Sequence, residues 1–287
     1  MNIKKSGLIA LALFTAVSLQ AQYFGRNKPR YEQIEYRVHQ TPHFEIYHYL
    51  DNDTLLHALA EQSERWYRIH QAVLKDTIVE RNPLIFYNDH PDFQQTNTIS
   101  GDIGVGTGGV TEAFKNRVIL PLAMSNQQTH HVLGHELVHA FQYNMILKGD
   151  STSLNNLSNL PLWMVEGLAE YMSIGSVDAQ TAMWMRDAVL NDDVPTLKKL
   201  NNPQYFPYRY GHTFWVFVTG LKGDEIIEPL FMATAKYGFE QACKMVMGMS
   251  SENLSELWVT LIKKHFGGAL GDKKERTIGK ALINDKN

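Results

Sequence analysis

Apolar and polar residues alternate over residues 34–38 and again over 44–48, the period of two expected of strands with one face on a core. Residues 83–87 and 118–122 are denser apolar runs and read as two more strands. Between the second and third strands the period lengthens. Leu55, Leu56, Leu59, Trp66, Ile69, Val73 and Leu74 recur at helical spacing after a capping residue at Asp53, which predicts a helix showing one apolar face to a sheet. Residues 96–109, rich in Gly, Thr and Asn, read as irregular chain. From about 125 to 266 the pattern is helical, interrupted by loops at 148–159, 192–195 and 201–207. Strands first and helices later predict an α+β fold, with a mixed-sheet lobe over about 31–148 and a helical lobe over about 149–267.

The chain has 287 residues, 44% hydrophobic and 20% charged, which is an ordinary globular composition and enough for one large domain or two lobes. A formal charge of −3 without any basic block gives no indication of a phosphate-tracking surface, so nucleic acid is not an expected partner. Lys4 and Lys5 precede an apolar run from Leu8 to Leu19, broken by Thr15 and Ser18 and followed by Ala21. This is the layout of a secretory signal peptide over 1–21, and the run is shorter than the roughly 20 apolar residues of a membrane span. Leu19 is larger than the residue a signal cleavage site prefers there, which leaves the cut bond open. Export to the periplasm or the extracellular space is expected, with no stable membrane span after cleavage. Residues 22–30 read as a linker and 268–287 as a polar tail. Cys243 is the only cysteine, so no internal disulfide forms, and it reads as a small buried hydrophobe in a helical run.

Candidate chemistry lies mainly in two segments. His135 and His139, four apart, share one face of a helix, so both imidazoles can reach one ion, and neutral imidazole suits Zn²⁺. Glu136 between them is rotated around the helix, where its carboxylate can take a proton from a water acidified by the metal. Leu133, Leu137, Val138 and Phe141 supply an apolar helical surface, and Ser125 with Gln128 has the form of a capping box. A catalytic zinc needs a third protein ligand, for which Glu166 on a second helix after Pro161 is the candidate. Glu170, one turn on, can accept the free ring N–H of a ligating histidine. Each carboxylate taken alone also reads as part of a solvated helix face. His131 precedes His135 by one turn, but over the eight residues to His139 a helix turns about 80° out of line. It is therefore expected to be a partly exposed neighbour. His39, His43, His48, His57, His70, His90 and His265 lack ligand spacing and read as surface or strand positions. The glycines at 104, 106, 108 and 109 suggest a nucleotide loop, but no lysine follows and the segment runs into a strand rather than a helix.

The sequence HELVH at 135–139 followed by WMVEGLAEY at 163–171 resembles the gluzincin zinc metallopeptidases, in particular peptidase MA-like domains, whose second motif has the form WxxEGxAEY. The resemblance is carried by residues 116–172. It implies a peptidase MA-like catalytic domain over 31–267, zinc on His135, His139 and Glu166, Glu136 as general base and Glu170 in support. It also implies a cleft between a sheet-containing lobe and a helical lobe, with the active-site helix between them. The segment 118–122 would be the edge strand lining it, to which an extended peptide can add, although it reads as well as an ordinary core strand. Gluzincins commonly draw an oxyanion donor from the region of 208–215, which makes Tyr210, and after it His212, candidates. Aromatic packing and a surface histidine are the alternative readings of those two residues. The G-x-M-E-N segment of related aminopeptidases is absent, which favours an endopeptidase. Such domains in exported bacterial proteins often precede a TolB-type β-propeller, and the tail resembles the lead-in to one. A carboxy-terminal β-propeller in a longer form is the implied partner domain.

The expected function is therefore an exported zinc metallopeptidase acting on a peptide or protein substrate. A non-catalytic zinc-containing module that binds peptides or a partner is the alternative of another class. Glu136 argues against it, because a site without turnover has no need of a base.

Overall fold

The computed structural model describes residues 32–147 and 153–268. The expected signal peptide, the linker and the tail beyond 268 lie outside the described residues. Among those described, the chain is α+β, with a five-stranded mixed sheet and ten α-helices. It divides into two compact units, and helices α1 and α3 each contribute residues to both.

The first unit comprises the chain up to Trp66 together with Ile78–Glu136. It holds β1 (Arg37–Gln40), β2 (Phe44–His48), the first part of α1 (Asp53–Leu74), β3 (Asn82–Tyr87), α2 (His90–Gln94), β4 (Val110–Glu112), β5 (Arg117–Pro121) and the first half of α3 (Asn126–Leu147). The sheet order is β1-β2-β3-β5-β4, with β2, β3 and β5 parallel and both outer strands antiparallel to their neighbours. Ile46, Leu84 and Val118 stand in register across the three parallel strands and are fully buried, as are Phe86 and Leu120 one pleat on. The opposite face carries Ile119, which packs with Tyr87, Phe93 and Ile103. Residues buried on both faces explain why β3 and β5 read as dense apolar runs rather than as alternation.

One expectation is corrected here. The strand expected at 118–122 is not an edge: β5 lies between β3 and β4, and β4 is the outer strand. β4 is only three residues long and turns back into β5 through Asn116, whose φ of 47° is one that asparagine tolerates well. Two smaller corrections also apply. β1 begins at Arg37 rather than at 34, and the cap of α1 is Asn52, whose Oδ1 accepts the Leu55 N–H at 3.1 Å. At the start of α3 Ser125 caps as expected, its Oγ accepting from Gln128 N at 3.2 Å. α1 lies close against α3 within this unit. The Trp66 indole donates to His130 O at 3.1 Å, and a Cβ on Gly134 would lie 2.7 Å from the Trp66 ring.

The second unit comprises Tyr67–Thr77 and the chain from Leu137 onward. Beyond α3 it holds α4 (Leu154–Leu157), α5 (Leu162–Ile174), α6 (Ala179–Leu190), α7 (Pro207–Lys222), α8 (Ile227–Tyr237), α9 (Phe239–Ala242) and α10 (Ser251–Gly267). Helices α5 and α7 touch backbone to backbone at Gly167 and Gly211, where any Cβ would meet the main chain of the facing helix. The Trp215 indole adds a hydrogen bond to Met164 O at 2.9 Å. His70 is fully buried against Phe141, not on the surface, because it continues the apolar face of α1 one turn before Leu74. Cys243 is buried as expected, and burial pushes its thiol up to about 12. No helix among the described residues is long and apolar enough to cross a membrane.

Candidate metal centre

Helix α3 carries His131, His135, Glu136, His139 and Gln142, and its apolar side is tightly anchored: Leu133, Leu137, Val138 and Phe141 are all fully buried. That anchoring fixes the rotation of the helix and hence the direction of its histidines. The ligand atoms of His135, His139 and Glu166 all lie within 4.8 Å of one another. His131, His135 and Glu170 form a second group within the same limit. His135 belongs to both groups, while His131 and His139 fall in different ones, as the rotation along the helix requires. His131 is half-buried, its ring edge-on to His135 at 6.1 Å.

The hydrogen bonds of His139 bear on whether a cation fits. Gln142 Oε1 lies 2.8 Å from His139 Nδ1, and the Gln142 amide donates to Val165 O at 3.1 Å. An amide held in that sense accepts the Nδ1–H, which leaves the Nε2 lone pair for another partner. That Nε2 is 3.3 Å from Glu166 Oε2, and both side chains are largely buried. A lone pair facing a carboxylate at this distance needs a proton or a cation between them. Two donors on a tetrahedral zinc, with bonds near 2 Å, stand about 3.3 Å apart. The His139–Glu166 distance matches that spacing, and two imidazoles with one carboxylate form a donor set that could hold a metal ion.

Glu170 is 3% exposed. It accepts from Arg209 Nη1 at 2.9 Å, and the same nitrogen reaches Asp178 Oδ2 at 3.3 Å while Nη2 donates to Gln180 at 3.1 Å. Burial opposes ionisation of Asp178, but the Thr181 backbone N–H, 2.6 Å from its Oδ2, and the Arg209 charge outweigh it and lower its pKa. Glu136 is also buried, and Thr111 Oγ1 lies 2.8 Å from its Oε2 and 2.9 Å from its main-chain oxygen.

Tyr210 is 5% exposed, its ring 5.3 Å from Tyr205, and burial pushes its hydroxyl up to about 12. It keeps its proton at neutral pH and remains a donor. His212 is 1% exposed, with Nε2 donating to Gly175 O at 2.7 Å, and burial lowers its pKa. A neutral ring so engaged has no second N–H for a substrate. His212 belongs to neither of the two groups around His135.

Gln142, Arg209 and Thr111 carry contacts to these side chains that the sequence reading did not assign. Gln142 stands three residues after His139, on the same helical side, which was the available signal for it. Arg209 had only an indirect signal, since a buried Glu170 calls for a cation. Thr111 had none. No protein-family model matches this chain, and comparison with curated proteins finds none that matches it.

Proposed function

We propose that this chain is a zinc-dependent peptidase of the gluzincin type, exported on the strength of its amino-terminal segment. The observation that supports it best is the convergence of His135, His139 and Glu166 within 4.8 Å, with Glu136 outside that group and held by Thr111. His135, His139 and Glu166 would hold the ion. When bound, zinc supplies a Lewis acid that lowers the pKa of a coordinated water toward about 7 and polarises a carbonyl.

The remaining work falls to the chain's own side chains. Glu136 accepts a proton at its carboxylate from the hydrolytic water and returns it to the leaving amine, so one group acts as base and then as acid. Gln142 keeps the His139 ring in the tautomer that presents Nε2. Glu170, fixed by Arg209, does the corresponding work near His135. Tyr210 is retained as the oxyanion donor on the resemblance alone, and His212 is not retained because its N–H is already spent on Gly175. Internal cleavage is favoured over removal of terminal residues because the sequence lacks the aminopeptidase segment.

Metal analysis of the purified chain tests this reading. Wild type is expected to hold about one zinc per chain, with His139→Ala and Glu166→Gln each losing most of it while remaining folded. Zinc retained by both variants would overturn the ligand assignment. One zinc held with no peptide cleaved from any of a broad set would favour the binding module instead.

A further inference from the structure

The glycine-rich run before β4 has no place in a nucleotide loop, yet it leads directly to Glu136. A Cβ on Gly108 would lie 3.2 Å from the Val132 side chain. A Cβ on Gly109 would lie 2.8 Å from Glu136 Cγ and 3.0 Å from its Oε1. Gly109 is not among the glycines with positive φ, so its backbone does not demand glycine. What glycine gives there is clearance: with any other residue the Glu136 side chain would have to shift.

Two residues further, within β4, stands Thr111. Its hydroxyl proton is shared between Glu136 Oε2 at 2.8 Å and the Glu136 main-chain oxygen at 2.9 Å. One side chain thereby ties the carboxylate to its own backbone. The hydroxyl holds the carboxylate at Oε2, while Oε1 occupies space beside Gly109 that a Cβ would crowd.

We propose that Thr111 is a positioning residue for Glu136: with the clearance at Gly109, its hydroxyl locks the carboxylate in one rotamer and leaves Oε1 as the oxygen that exchanges the proton. This rests on Glu136 being the base. The side-chain hydrogen bonds of Thr111 go to Glu136 and not to His135, His139 or Glu166, so its role is tested separately from metal binding.

The test compares zinc-loaded wild type, Thr111→Val, Thr111→Ser and Glu136→Gln, using hydrolysis of fluorescein-labelled casein, zinc content, and crystal structures of the first three. Thr111→Val removes the donor and keeps the shape. Its kcat is expected to fall roughly ten- to hundred-fold at unchanged KM and zinc content, the scale of effect of a misplaced catalytic group. In its crystal structure the Glu136 carboxylate should leave its position beside β4. Thr111→Ser should restore both rate and rotamer, and should Thr111→Val not fold, Thr111→Ala against Thr111→Ser carries the same comparison. The proposal is overturned alone if Glu136→Gln is inactive while Thr111→Val keeps the wild-type rotamer, or keeps kcat within about twofold of wild type. If Glu136→Gln hydrolyses casein like wild type, or if wild type does not cleave it at all, the base assignment falls and the catalytic role of Thr111 falls with it.

Discussion

Replacing Arg209 with Met leaves two carboxylates, Glu170 and Asp178, where one guanidinium nitrogen now lies between them at 2.9 and 3.3 Å. Their oxygens can then be no more than about 6 Å apart, and at an effective dielectric near 20 two unit charges at that distance repel by about 3 kcal/mol. The Glu170 side chain is 4% exposed and that of Asp178 21%, so only Asp178 can recover much hydration. Breaking a buried pair from one side costs about 3–5 kcal/mol, and the partial exposure of Asp178 favours the lower end of that range. Urea denaturation followed by tryptophan fluorescence and circular dichroism should report a loss of that size, with a melting point lower by roughly 10 °C. Adding Asp178→Asn to Arg209→Met removes one of the facing charges and should return about 1–2 kcal/mol. A cost below about 1 kcal/mol for Arg209→Met, as expected of a surface pair, or no recovery in the double variant, would refute the claim that one guanidinium holds both carboxylates.

Gln142→Leu removes the acceptor that fixes the His139 tautomer, so zinc affinity measured by chelator competition should fall roughly 10- to 100-fold; unchanged affinity would mean that the 2.8 Å contact does not orient the ring. Gly211→Ala drives a methyl into the Trp163 carbonyl across the α5–α7 contact and should destabilise by about 1–3 kcal/mol or more. Gly220→Ala in the same helix meets nothing within 4 Å and should stabilise by about 0.5–1 kcal/mol; thermal melts that rank the two the other way would contradict the packing described. His212 has a folded-state pKa lowered below its ordinary 6.5 by burial, so the unfolded chain binds its proton more readily. Its contribution to stability is complete above pH 6.5 and is lost as pH falls from there toward the folded-state pKa. His212→Asn should flatten that part of the stability–pH curve, and an identical slope in the variant would show that another group causes it.

Much of this fold is written in short-range patterns. β2 and α1 follow from alternation and from a 3.6-residue period, and the helical second half follows from the same signal sustained over more than a hundred residues. The grouping of His135, His139 and Glu166 was legible because His135 and His139 lie one turn apart on a single helix, and Glu166 and Glu170 repeat that spacing on another. β4 was not, since three residues between a glycine run and a turn are too few to show a period; the edge placement of 118–122 came from the resemblance, and β4 outside it overturns that placement. Thr111 and Arg209 meet Glu136 and Glu170 across 25 and 39 residues of chain, and a pairing at such separation leaves no periodic trace. His70 departs from the surface expected of a polar residue type because it lies on the apolar face of α1, where it is fully buried.

The central claim is most directly tested by counting the new amino termini released from casein by wild type and by Glu136→Gln, both loaded to the same zinc content. Release by wild type alone, with the variant slower by about a hundredfold or more, is the result this account predicts. Equal release by the two proteins, or none from wild type holding a full complement of zinc, would contradict it.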